Sequence, residues 1–135
     1  MRIFLIFIIM FYASISFADT CPSIHAIKQH QLHGFTMYDS YTDQPLPATR
    51  VSLFQRHVKQ FILAEWRKDD NQHHAIRCYY RDQYGSELDT YLSKNNFTPD
   101  SGKSYWYTVT GSMHCAASSK ECTFQHIAQE HLATK

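Results

Sequence analysis

The chain has 135 residues, 44% hydrophobic and 15% aromatic, with 13 lysines and arginines against 12 aspartates and glutamates. That is the length of a single domain, and a formal net charge of +1 provides no field strong enough to hold nucleic acid or an anionic membrane surface. No block of like charges appears, so nucleic-acid binding finds no support.

The first residues read MRIFLIFIIMFYASISFADT. Arg2 precedes an apolar run from Ile3 to Tyr12, and small residues end in Ser16-Phe17-Ala18. A charged start, a short apolar stretch and a small-residue cleavage site form the layout of a secretory signal peptide. The run is too short for a spanning helix, and no later segment is long and apolar enough to cross a membrane. Residues 1–18 are therefore expected to be removed, leaving 19–135 as one secreted or periplasmic domain. That domain carries 12 basic and 12 acidic residues and all nine histidines. Histidine is the side chain that gains charge on mild acidification, so the surface can turn cationic there.

Four cysteines, Cys21, Cys78, Cys115 and Cys122, lie in the mature part. An even number in an exported chain points to disulfides. Of the three possible connectivities we favour Cys115–Cys122 as a local staple and Cys21–Cys78 as the long-range bridge. No C-x-x-C pair occurs, which argues against a zinc site.

Residues 23–38 mix helical and strand patterns, with Phe35 and Met37 on one strand face. Residues 39–50 (DSYTDQPLPATR) read as a loop, because Pro45 and Pro47 favour extended neighbours and Asp, Ser and Thr suit turns. Residues 51–60 fit either a helical face or a strand; 61–67 reads as a strand, with Ile62, Ala64 and Trp66 together. A polar connector follows at 67–74. In the next run Ile76, Cys78 and Tyr80 oppose Arg77, Tyr79 and Arg81. After the Gln83-Tyr84-Gly85 corner, Leu88, Thr90 and Leu92 oppose Glu87, Asp89 and Tyr91. This period of two predicts an antiparallel hairpin, with Arg77 and Arg81 paired to Glu87 and Asp89 across it. Residues 93–104 and 115–122 read as loops. Between them Tyr105, Tyr107 and Val109 oppose Trp106, Thr108 and Thr110, and the tail from His126 has helical periodicity. The expected fold is mainly β, a small antiparallel sandwich-like domain with two disulfides; an α+β form with one helix near 51–60 is the alternative.

The Cys21-Pro22 start, Phe61-x-x-Ala64, Ile76-x-Cys78-Tyr79-Tyr80 and Cys115-x6-Cys122-Thr123-Phe124 together resemble a family of short secreted bacterial proteins classed as a domain of unknown function. Such proteins occur in environmental and pathogenic Gram-negative bacteria, which implies a virulence-associated or environmental role. The resemblance brings no catalytic residues.

Candidate chemistry is sparse. His30 and His33, with His25 upstream, form an H-x-x-H pair without a nearby carboxylate. His73-His74 sits in a connector, where adjacent side chains point apart. Neither is read as a metal site, and no cofactor is expected. Ser112 and His114 stand two apart, but no G-x-S-x-G elbow is present. Glu65, Asp69, Glu87 and Asp89 could supply paired carboxylates, though a thin sheet leaves little room for the cleft that glycoside hydrolysis needs. Asn96-Phe97-Thr98 is a formal glycosylation sequon with no role assigned in a bacterial protein. Tyr79, Tyr91 and Trp106 fall on the outer face and are the candidate binding residues, since flat aromatics stack on sugars or anchor protein interfaces. The function expected is an exported, non-enzymatic binding protein or effector acting on a host or environmental macromolecule, with a protein or glycan partner. The alternatives are a periplasmic enzyme inhibitor or immunity-type protein, inserting residues 93–104 or 115–122, and a small secreted hydrolase.

Overall fold

The computed structural model describes residues 18–68, 74–100, 102 and 105–127. The expected signal peptide, apart from Ala18, therefore lies outside the described residues, as do Asp69, His73 and the tail beyond Ile127. In chain order the elements are α1 (Ile24–Lys28), β1 (Thr36–Asp39), α2 (Ala48–His57), β2 (Gln60–Lys68), β3 (His74–Arg81), β4 (Glu87–Asn95), β5 (Phe97–Pro99), β6 (Tyr107–Val109), β7 (Ser112–Cys115) and β8 (Phe124–His126). The fold is mainly β. Six strands form one antiparallel sheet in the order β1-β4-β3-β2-β7-β6, and β5 pairs with β8 in a second, two-stranded sheet.

The alternation in 74–81 and 87–95 makes the β3–β4 hairpin. Its corner closes on Asp82, whose Oδ1 accepts the backbone N–H groups of Tyr84 (2.9 Å) and Ser86 (3.0 Å). Gly85 takes φ +80°, a left-handed conformation that other residues adopt only under strain. Register places Arg81 opposite Glu87 as expected, but Arg77 opposite Ser93. An irregularity between Tyr79 and Arg81 displaces Asp89 from the expected pairing, and Arg77 meets Asp43 instead.

The 61–67 stretch is a strand as expected, but a second irregularity, between Phe61 and Leu63, changes which of its residues face inward. It brings Phe61 beside Tyr80 and Ala64 beside Cys78, so positions three apart both pack inward and Ile62 leaves the alternation. Of the 51–60 segment, 51–57 is helical and Gln60 already belongs to β2; the helix begins earlier, at Ala48, directly after Pro47. Ala48 and Arg50 are good helix formers, and the proline fixes an extended entry. At the other end Val58 leaves the helix at φ −63°, ψ 129°. Residues 93–99 are not part of the expected loop: β4 continues to Asn95, Asn96 turns at φ +68°, and β5 follows to Pro99. The positive φ at Asn96 is a conformation asparagine tolerates better than most residues.

The inner face of the large sheet carries the core. Ile76, Cys78, Tyr80, Leu92, Met37, Ala64 and Cys115 are buried there. The layer above it is composite, which is what makes the domain sandwich-like. Phe54 of α2 stands edge-on to Tyr80 at 5.9 Å, Ile27 of α1 is fully buried, and Phe124 of β8 meets Phe35 and Phe97 edge-on. The Tyr80 hydroxyl donates to the Pro22 carbonyl at 2.7 Å, so this buried phenol has a partner. Both expected disulfides are present: Cys21–Cys78, 57 residues apart, and Cys115–Cys122, seven apart. Disulfides persist in oxidising compartments. Among the described residues no helix is long and apolar enough to cross a membrane.

Candidate functional site

With the inner face filled, chemistry concentrates on the outer one. Strand register lines up two rows there. One runs Tyr38–Tyr91–Tyr79–Leu63 across β1, β4, β3 and β2. The other runs Thr36–Ser93–Arg77–Glu65–His114–Tyr107 across all six strands.

The first row is an aromatic stack. Tyr38 lies nearly parallel to Tyr91, at 5.5 Å and 18°, and Tyr79 tilts against its other side at 5.8 Å. The Arg77 guanidinium sits 4.4 Å above the Tyr91 ring, within the range of a cation–π contact. Tyr91 donates its hydroxyl proton to Asp43 Oδ1 at 2.8 Å, and Arg77 reaches the same oxygen at 3.6 Å. Burial, and then the bond to Asp43, pushes the Tyr91 phenol well above its ordinary range. Burial likewise raises Tyr79, reinforced by the Glu65 carboxylate. For Arg77 burial works against the charge, yet Tyr91, Tyr79 and Asp43 outweigh it and hold the guanidinium above its usual value.

Glu65 is the centre of the second row. Its Oε1 accepts from the Tyr79 hydroxyl at 3.3 Å and faces Arg67 Nε at 3.7 Å, while Oε2 meets His114 Nε2 at 3.1 Å. Ser112 Oγ lies 3.3 Å from the same His114 nitrogen and donates to the Val109 carbonyl at 3.2 Å. A serine–histidine–carboxylate relay needs the hydroxyl and the carboxylate on opposite ring nitrogens. Here both converge on Nε2, so the nitrogen that would take the serine proton is already engaged with Glu65. In this arrangement the Glu65–His114 contact ties β2 to β7. Glu65 is held in this way, while Glu87 and Asp89 stand at the hairpin end of β4.

A cleft of about 360 Å³ opens beside the stack, lined by Tyr38, Arg67, Lys68, Arg77, Ser93 and Asn95, with Asp43, Ala75 and Tyr91 completing it. Of the three candidate binding residues, Tyr79 and Tyr91 are brought together in the stack, and of these Tyr91 lines the cleft. Tyr79 is half-buried; Tyr91 is on the outer face as expected but only 3% exposed, because Tyr38, Arg77 and Asp43 cover it. Trp106 is not on that face. The strand starts one residue after it, the indole is buried in the core, and its N–H donates to the Thr123 carbonyl at 2.8 Å. Tyr107, Thr108 and Val109 are all exposed, so the alternation expected for 105–110 does not hold.

His30 and His33 fall in turns after α1, both at positive φ, and His30 Nδ1 lies 3.0 Å from Gln55 Nε2. Among the described residues no group of three or more His, Cys, Asp or Glu side chains is placed to hold a metal ion.

No family model matches the chain, and no curated protein or solved structure matches it. The resemblance noted from the cysteines and aromatics therefore adds no residue roles, and the site is described by its own geometry. Tyr38, Asp43 and the Glu65–His114 pair were not singled out by sequence. Tyr38 had a signal, being out of phase with the inward Met37; Asp43 in a proline-containing loop had none.

Proposed function

We propose that this chain is an exported, non-enzymatic binding protein that meets a host or environmental macromolecule on the outer face of its six-stranded sheet. The observation that carries the reading is that face itself: aromatic rings and charged groups are locked together across β1, β4, β3 and β2 beside a polar cleft. Rigid, pre-stacked side chains lose little freedom on binding, which suits recognition. The signal-peptide pattern of residues 1–18 and the two disulfides support export, to the periplasm or beyond. The doubly engaged His114 favours binding over hydrolysis.

The test is binding to a panel of surface glycans and surface-protein preparations, with wild type and Ser93→Arg. Ser93 lines the cleft on an outer-face position, so arginine there blocks it without entering the core. Binding by wild type that is lost in Ser93→Arg, with an unchanged circular dichroism spectrum, supports the reading. Equal binding by both proteins, or no binding to any panel member, counts against it.

A further inference from the structure

The cleft has a lining that narrows the partner's chemistry. Among the described residues that form it, Arg67, Lys68 and Arg77 are cationic and Asp43 alone is anionic. Ser93, Asn95, Tyr38 and Tyr91 add hydroxyl and amide groups, and Ala75 is the one aliphatic residue. Tyrosine and arginine also serve as protein hot spots, but those sit in fully desolvated pockets, whereas this cleft is lined mostly by charged and polar groups. Dense donors and acceptors, an aromatic edge and an excess of positive charge suit a polyhydroxylated ring that carries an anion.

Arg77 is placed for that anion. Its guanidinium is fixed over Tyr91 at 4.4 Å, while its contact to Asp43, at 3.6 Å, is longer than a direct hydrogen bond. A guanidinium has five donors in a planar fork, and two parallel donors match a carboxylate or sulfate. Asp43 is itself largely exposed, its side chain 61% accessible. It therefore competes weakly for Arg77 and repels an incoming anion. Tyr38, half-buried on the edge strand β1, borders the same space and offers a ring beside the anion position.

We infer that this cleft is a binding site for an acidic saccharide, with Arg77 taking the sugar's carboxylate or sulfate and Ser93, Asn95 and Tyr38 meeting the ring and its hydroxyls. The inference rests on the binding-protein reading above and names its ligand class.

The test is titration calorimetry with three probes of matched length: an oligogalacturonide, the same oligomer with its carboxyls methyl-esterified, and a sulfated oligosaccharide. The acidic probes should bind and the ester should bind at least about ten-fold more weakly, as expected for loss of a charge-assisted bond. Arg77→Gln should weaken acidic binding about ten- to a hundred-fold. Arg77→Lys should recover only part of it, because lysine lacks the fork. Asp43→Asn, which keeps an acceptor for the Tyr91 hydroxyl, should tighten binding, an outcome that a damaged fold does not give. Binding confined to the oligogalacturonide assigns the anion as a carboxylate, and binding confined to the sulfated probe assigns it as a sulfate; both support the site. Equal binding of acid and ester, weaker binding by Asp43→Asn, or unchanged binding by Arg77→Gln overturns it. If no saccharide binds while Ser93→Arg still abolishes binding to a surface protein, the saccharide assignment is wrong and the broader reading survives.

Discussion

Removing the Cys21–Cys78 bridge with Cys21→Ala/Cys78→Ala should cost clearly more stability than Cys115→Ala/Cys122→Ala. All four cysteines are 2% exposed or less, so the packing lost is similar and the closed loops decide the difference. The bridged residues are 57 apart in one case and seven in the other. In the chain-entropy description, closing loops of those lengths is worth about 4 and about 2.4 kcal/mol near room temperature. The longer bridge also anchors the segment whose Pro22 carbonyl receives the Tyr80 hydroxyl. Loosening that acceptor adds about 1 kcal/mol. The gap between the two double variants is then about 2–3 kcal/mol, or about 10 °C in melting temperature for a domain of this size. Thermal unfolding by circular dichroism under non-reducing conditions measures it directly. Equal melting temperatures, or a lower one for the Cys115–Cys122 variant, would refute the loop-entropy reasoning.

Tyr80→Phe should cost about 1–2 kcal/mol, since it removes one hydroxyl and leaves the Pro22 carbonyl without its donor; urea unfolding checks this. Burial holds the Tyr80 and Tyr91 phenols above their ordinary value. Both stay protonated when folded while the unfolded chain ionises, so they stabilise fully below the ordinary phenol value of about 10 and the melting temperature should fall as pH rises through it. Tyr80→Phe should flatten that decline, read by melting curves on an alkaline pH series. Gly85→Ala should cost about 1 kcal/mol through backbone strain alone, because no atom lies within 4 Å of the added methyl. Chemical unfolding of the two proteins measures that cost.

Local periodicity was enough to find the hairpin. Ile76, Cys78 and Tyr80 alternate with Arg77, Tyr79 and Arg81 because one face meets the core and the other meets water. The same rule misplaced Trp106, since residues before a strand obey no alternation and an indole N–H will turn inward when a carbonyl such as that of Thr123 is in reach. Strand pairing between β3 and β4 extended into the polar residues that suggested a loop at 93–104; Ser93 is paired on both sides, to Thr36 and Arg77, while Lys94 is paired to Ile76 and its ammonium donates to the His33 carbonyl. The site was legible only in part. Tyr79 and Tyr91 follow from the hairpin, whereas Glu65 with His114, 49 residues away, and Tyr91 with Asp43, 48 away, depend on strand order and loop placement that no short window encodes.

The central claim is that the outer face of the sheet is where the partner docks. The most direct test compares backbone amide NMR spectra of the protein alone and with a ligand bound from the glycan and surface-protein panel. The account predicts that the shifted amides cluster on β1, β4, β3 and β2 around Tyr38, Arg77, Ser93 and Asn95. Shifts confined to the Cys115–Cys122 loop, with that face unchanged, would contradict it and favour an inhibitor that inserts the disulfide loop.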